Sequence, residues 1–84
     1  MATTQTLFTD HNWVELGTTL TNAIVQGIGN NVQVHIGSTL PAASAPGFDL
    51  TSNAPVNLPG LDTLGGGLWA RSLKGNGGVR YATA

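Results

Sequence analysis

The residues able to do chemistry in this chain are few. The acids are Asp10, Glu15, Asp49 and Asp62, and the histidines are His11 and His35. Serines are present too, so a nucleophile, a base and an acid all exist. Catalysis needs them positioned, and the usual signature of a positioned serine is missing: Ser38 follows Gly37 but precedes Thr39 and Leu40, where a nucleophile elbow requires glycine. The acids lie scattered on separate segments, so solvation of the surface explains them more simply than a glycosidase pair. Gly27-Ile28-Gly29 begins like a dinucleotide loop, but Val32 stands where the third glycine belongs. Gly65-Gly66-Gly67 precedes a predicted strand, whereas a phosphate cradle precedes a helix. Asp10, His11 and His35 would hold a metal only if strands gathered them, and further ligands are lacking nearby. His35 is expected as an exposed histidine on the polar face of its strand. The expectation is no enzyme, no cofactor and no metal.

Aromatic residues are the other candidates. Trp13, Trp69 and Tyr81 with Arg71 and Arg80 would suit a stacking platform for sugars or bases. Two Trp, one Tyr and two Phe are also about what one small core needs, and core packing is the preferred reading. Alternation along a strand puts Trp69 and Arg71 on one face, where they suit a protein interface. The expected interface residues are Thr3, Thr4, Gln5, Trp13, Trp69, Arg71 and Tyr81.

The elements that must position these side chains read as strands. With 12 glycines and 4 prolines in 84 residues, helix interiors are broken everywhere. Asn12 and Glu15 have capping-box spacing, but Gly17 follows too soon, and Asp10-His11-Asn12 reads as an Asx turn. Strands are expected over 5–9, 13–16, 20–26, 32–36, 48–51, 56–58, 68–73 and 79–83. Val32, Val34 and Ile36 alternate cleanly with Gln33 and His35. Gly29-Asn30-Asn31 and Gly75-Asn76-Gly77-Gly78 are turn chemistry, so 20–27 with 32–36 and 68–73 with 79–83 are expected as hairpins. Residues 38–47, with Pro41 and Pro46, form a loop. Pro55 and Pro59 confine the short strand between them to an edge or a strand end. The fold class is therefore all-β: one small antiparallel sandwich or barrel of about seven to eight short strands. Residues 1–12 hold an N-terminal arm and the first strand, and 13–84 the sandwich or barrel. The expected core is Leu7, Val14, Leu16, Leu20, Ile24, Val32, Val34, Ile36, Leu58, Leu68, Val79 and Tyr81, with Trp13 and Trp69 at its ends or at an interface.

Composition bounds the partners. Only 8% of the residues are charged, against about 25% in ordinary soluble domains. Charged side chains keep copies of a protein apart, and a surface of Thr, Ser, Asn, Gln and Gly is easily buried against a neighbour. A small domain usually needs disulfides, a metal or partner chains. Cysteine is absent and histidine scarce, so partner chains are the support that remains. The net charge of −1 argues against nucleic acid. Residues 16–48 are uncharged but carry Thr, Asn, Gln and His throughout, which does not suit a spanning helix. The first ten residues have neither a basic nor an apolar region, so synthesis in the cytoplasm is expected.

A pattern joins these segments: Trp-Val-Glu-Leu-Gly (13–17), Val-Gln-Val-His-Ile-Gly (32–37), Pro-Ala-Ala-Ser-Ala-Pro-Gly-Phe-Asp-Leu (41–50), Leu-Trp-Ala-Arg-Ser-Leu (68–73) and Val-Arg-Tyr (79–81). It resembles the small β-structured virion proteins of tailed bacteriophages, the capsid decoration or cement proteins and related head-fibre or tail modules. The resemblance covers residues 13–84. It implies a compact β-sandwich or barrel, often a homotrimer, made in the host cytoplasm and added to the virion. Its partners would be copies of itself and a major capsid or other virion protein, with no membrane. It brings no active site. The polar segment 2–6 is expected to reach out and add a strand to a neighbouring sheet. The alternative function is a tail or fibre module that binds a receptor or glycan with an exposed Trp or Tyr in a concave site.

Overall fold

The computed structural model describes residues 3–29 and 31–84. The chain forms eight strands: β1 (Thr3–Leu7), β2 (Val14–Gly17), β3 (Ala23–Ile28), β4 (Val32–Ile36), β5 (Phe48–Leu50), β6 (Val56–Leu58), β7 (Leu68–Ser72) and β8 (Gly78–Thr83). One 3-10 turn, Leu61–Leu64, lies between β6 and β7. Two antiparallel four-stranded sheets pack face to face, ordered β1-β8-β3-β6 in the first sheet and β2-β7-β4-β5 in the second. The all-β sandwich expected from the strand and turn signals is the fold observed.

The core fills the space between the sheets. It comprises Phe8, Leu16, Ala23, Val25, Val32, Val34, Leu50, Leu61, Leu68, Ala70 and Val79. Val14, Leu20, Ile36, Leu58 and Tyr81 pack at its margin. Two expected core residues are corrections. Leu7 is 64% exposed and Ile24 43% exposed, because β1 and β3 each turn the other set of side chains inward. In β3 the inward set is Ala23, Val25 and Gly27. A Cβ at Gly27 would meet Leu50 and Val32 Cβ atoms at 3.2 and 3.4 Å, so any side chain larger than glycine's would crowd that inward position. Since side chains alternate, one such position fixes the face of the whole strand. In β1 the buried Phe8 continues the face of Thr4 and Thr6, which leaves Leu7 outside.

Both expected hairpins are also corrected. β3 pairs with β8, and β4 pairs with β7, so each of the two turns carries the chain from one sheet to the other. The turn chemistry is as expected: Gly29 and Asn31 have φ of 87° and 62°, and Gly75 and Gly77 have 74° and 79°. Alternation cannot tell a hairpin from such an arch, because both put the apolar residues of the two strands into one core. The arches lie side by side, with Leu73 N–H donating to Asn31 O at 2.9 Å. Asn30 lies outside the described residues. The Asx turn is present, with Asn12 N–H donating to Asp10 Oδ1 at 2.9 Å.

The N-terminal segment is not free. Thr3–Leu7 pairs antiparallel with β8 in the chain's own sheet. It is an edge strand of the sandwich, not an arm leaving it, and Ala2 lies outside the described residues.

Candidate functional site

The chemistry-bearing side chains gather on the outer face of the second sheet. Along β7, Leu68, Ala70 and Ser72 face the core, so Trp69 and Arg71 face outward. Cross-strand register sets Gln33 beside Arg71 and Asp49 beside Gln33. It also sets His35 and Glu15 on either side of Trp69. Trp13, just ahead of β2, stands next to Arg71.

All five residues of β7 are buried, although only one face meets the core. The cover on the other face is the segment 37–47, which links β4 to β5 and lies across the sheet as a strap. Its two prolines deny it a ladder of its own, so its carbonyls need donors from elsewhere. The sheet supplies them. Trp13 Nε1 donates to Ala42 O at 3.1 Å, and Trp69 Nε1 donates to Gly37 O at 3.0 Å. Arg71 donates to Ala43 O, to Ala45 O at 3.1 Å and to Gln33 Oε1 at 3.3 Å. His35 Nδ1 lies 3.0 Å from Pro46 O, and since a carbonyl only accepts, that nitrogen carries the proton. Indole and guanidinium groups only donate, and strap carbonyls only accept, so the two sets match; Ala42 O also accepts from Ala45 N–H within the strap at 2.9 Å.

Arg71 is the centre of this arrangement. Its guanidinium sits 4.1 Å above the centre of the Trp13 ring, a cation–π distance. Trp13 in turn lies against His35, with ring centres 5.6 Å apart at 59°. Each hydrogen-bond partner of Arg71 is neutral, and its buried Nε has no partner among the described residues. The buried cation is thus held by carbonyl dipoles and a π face. Gly47 closes the strap: a Cβ there would stand 3.0 Å from Gln33 Cβ, Trp13 Cη2 and Val34 O.

The expected interface residues therefore divide. Trp13, Trp69 and Arg71 come together, as the shared face of Trp69 and Arg71 predicts, but they bind the chain's own strap and are 9%, 8% and 9% exposed. His35 is half-buried in the same cluster instead of standing free on a polar face. Tyr81 is half-buried against the core. Thr3, Thr4 and Gln5 are exposed on edge strand β1. Gln33, Gly47 and the strap carbonyls were not among the expected site residues; the prolines of 41–46 marked a loop, but nothing local says what a loop lies upon. Among the described residues, no three His, Asp or Glu side chains gather where they could hold a metal ion.

Among the described residues no comparable strap covers the outer face of the first sheet, and Thr3, Gln5, Leu7, Ile24 and Arg80 are exposed on it. It presents Leu7, Gln5 and Thr3 from β1, Arg80 and Ala82 from β8, and Ile24 and Gln26 from β3. Arg80 is the one cation among these, and it donates to Gln5 Oε1 at 3.3 Å. No family model, curated protein or solved structure matches this chain.

Proposed function

We propose that the chain is a structural subunit of a tailed-bacteriophage virion, decorating or cementing the capsid through protein–protein contacts as a homo-oligomer. The observation that carries this reading is the contrast between the two outer faces. The side chains with chemical potential are spent on holding the strap, whereas the strap-free face and its edge are uncharged but for Arg80. A face of Thr, Gln, Ala and Ile gives up little hydration when covered, and few like charges oppose a second copy. Contacts with sister molecules and a shell are what such a surface suits. The phage assignment itself rests on the resemblance of residues 13–84, which also implies a trimer. The glycan-binding alternative loses its main support, because Trp13 and Trp69 offer no open platform.

The test is the protein content of purified particles of the phage that carries the gene. The chain present in many copies per particle, with particles lacking it less resistant to heat, is the expected result. Its absence from intact particles overturns the assignment.

A further inference from the structure

The sandwich has four sheet edges: β1 and β6 in the first sheet, β2 and β5 in the second. Edges invite pairing with other chains unless something blunts them. Three are blunted. β6 and β5 have three residues each, and Pro55 and Pro59 fence β6. β2 is interrupted by a register shift between Glu15 and Gly17. β1 has none of these devices: it runs five residues in unbroken register with β8 and carries no charge, no proline and no bulge.

We propose that β1 is a self-pairing edge, and that a second copy of this chain docks on it antiparallel about a twofold axis through Gln5. This deepens the assembly reading by naming the partner and the register. The register follows from which backbone groups are free. Phe8 N–H donates to Gly77 O, on the β8 side. N–H and C=O of one residue point the same way and alternate along a strand, so Thr4, Thr6 and Phe8 point at β8, and Thr3, Gln5 and Leu7 point out. A twofold axis at Gln5 sets Gln5 against the partner's Gln5, and Thr3 against the partner's Leu7 in both directions. Every outward group of the strand then has a partner. An axis at Thr4 or Thr6 would also set outward groups against outward groups, but it would pair only two of the three outward residues within β1, leaving Leu7 or Thr3 beyond the partner's strand. Side chains agree with this register. Thr4 meets the partner's Thr6, a favourable cross-strand pair. Leu7, 64% exposed in the single chain, lies beside the partner's Thr3 and, one strand on, Ala82, small residues that leave room for it. The two first sheets merge into one of eight strands. Such an isologous contact closes on itself, giving two copies where the resemblance implies three.

The chain has no cysteine, so single cysteines report this geometry directly. A hydrogen-bonded antiparallel pair has Cα atoms about 5.5 Å apart, within disulfide reach. Gln5→Cys should therefore crosslink to a two-chain species at least about tenfold faster than the exposed control Ser52→Cys. Thr3→Cys and Leu7→Cys should crosslink when mixed and not alone. Gln5→Pro removes an outward N–H and the exposed acceptor of Arg80 but no backbone bond to β8, so it should leave the circular dichroism of the fold intact and yield single chains. Leu7→Lys should give the same result if the proline disturbs the strand. Gln5→Cys crosslinking no faster than the control overturns the proposal. With native mass above one chain, including three, that outcome leaves the assembly reading standing; with single chains at every concentration, both fail.

Discussion

At the scale of single residues, Arg71 has the clearest energetic role. It replaces water for a strap that has no ladder, and its planar fork reaches Ala43 O, Ala45 O and Gln33 Oε1 at once while stacking on Trp13. Hydrogen bonds to charged groups are each worth about 1.5–3 kcal/mol, and truncation leaves buried carbonyls unpaired. Arg71→Ala should therefore cost about 3 kcal/mol, which in a chain this short lowers the melting temperature by roughly 10–20 °C. Arg71→Lys keeps the charge but loses the fork and the stacking, and should recover less than half of that loss. Thermal unfolding followed by circular dichroism measures both, and a lysine variant as stable as the parent would remove the fork from the account. Gly67 is a second decisive residue. It accepts a bond from Gly37 N–H at 3.1 Å, and a Cβ there would lie on the Gly37 carbonyl oxygen, a backbone atom with nowhere to go. Gly67→Ala should fail to give a cooperative unfolding transition; a well-folded variant would mean that β4 and β7 do not approach so closely.

At the scale of elements, the strap is an addition to a sandwich that is already complete beneath it. Gly47→Val would press on Trp13, Gln33 and the Val34 carbonyl, so it should lift the strap at a cost of about 2 kcal/mol while both sheets persist. The expected readout is a red shift of tryptophan emission and weaker near-ultraviolet dichroism, with the far-ultraviolet spectrum kept. Simultaneous loss of all three signals would mean that strap and sheets fold as one unit. What could be read from the sequence about these elements depended on how unequal the two faces of each strand were. β4 was legible because Gln33 and His35 mark its outer face against Val32, Val34 and Ile36. β3 was not, since Ala23 and Val25 on one face compete with Ile24 on the other, and the deciding contact is the closeness of Leu50 and Val32 to Gly27. Leu7 and Phe8 posed the same choice in β1. Arches and hairpins look alike in the sequence because turn residues specify local φ, not which sheet receives the next strand. The strap cluster was half legible: alternation placed Trp69 with Arg71, but the contact with residues 42–46 joins segments some 28 positions apart and has no local signal.

At the scale of the whole molecule, the low charge would govern how copies meet in the proposed assembly. Association built on backbone pairing and weakly polar faces contains little Coulomb energy to screen. Raising salt to about 1 M shortens the screening length to about 3 Å and should leave the assembly unchanged. The measurement closest to the central claim is sedimentation equilibrium of the purified chain from low to high micromolar concentration, at low salt and at about 1 M salt. A reversible oligomer whose affinity shifts by less than about threefold between the two salts is predicted. A chain that stays single and stably folded at the highest concentration, or an oligomer that salt dissolves, would contradict the account.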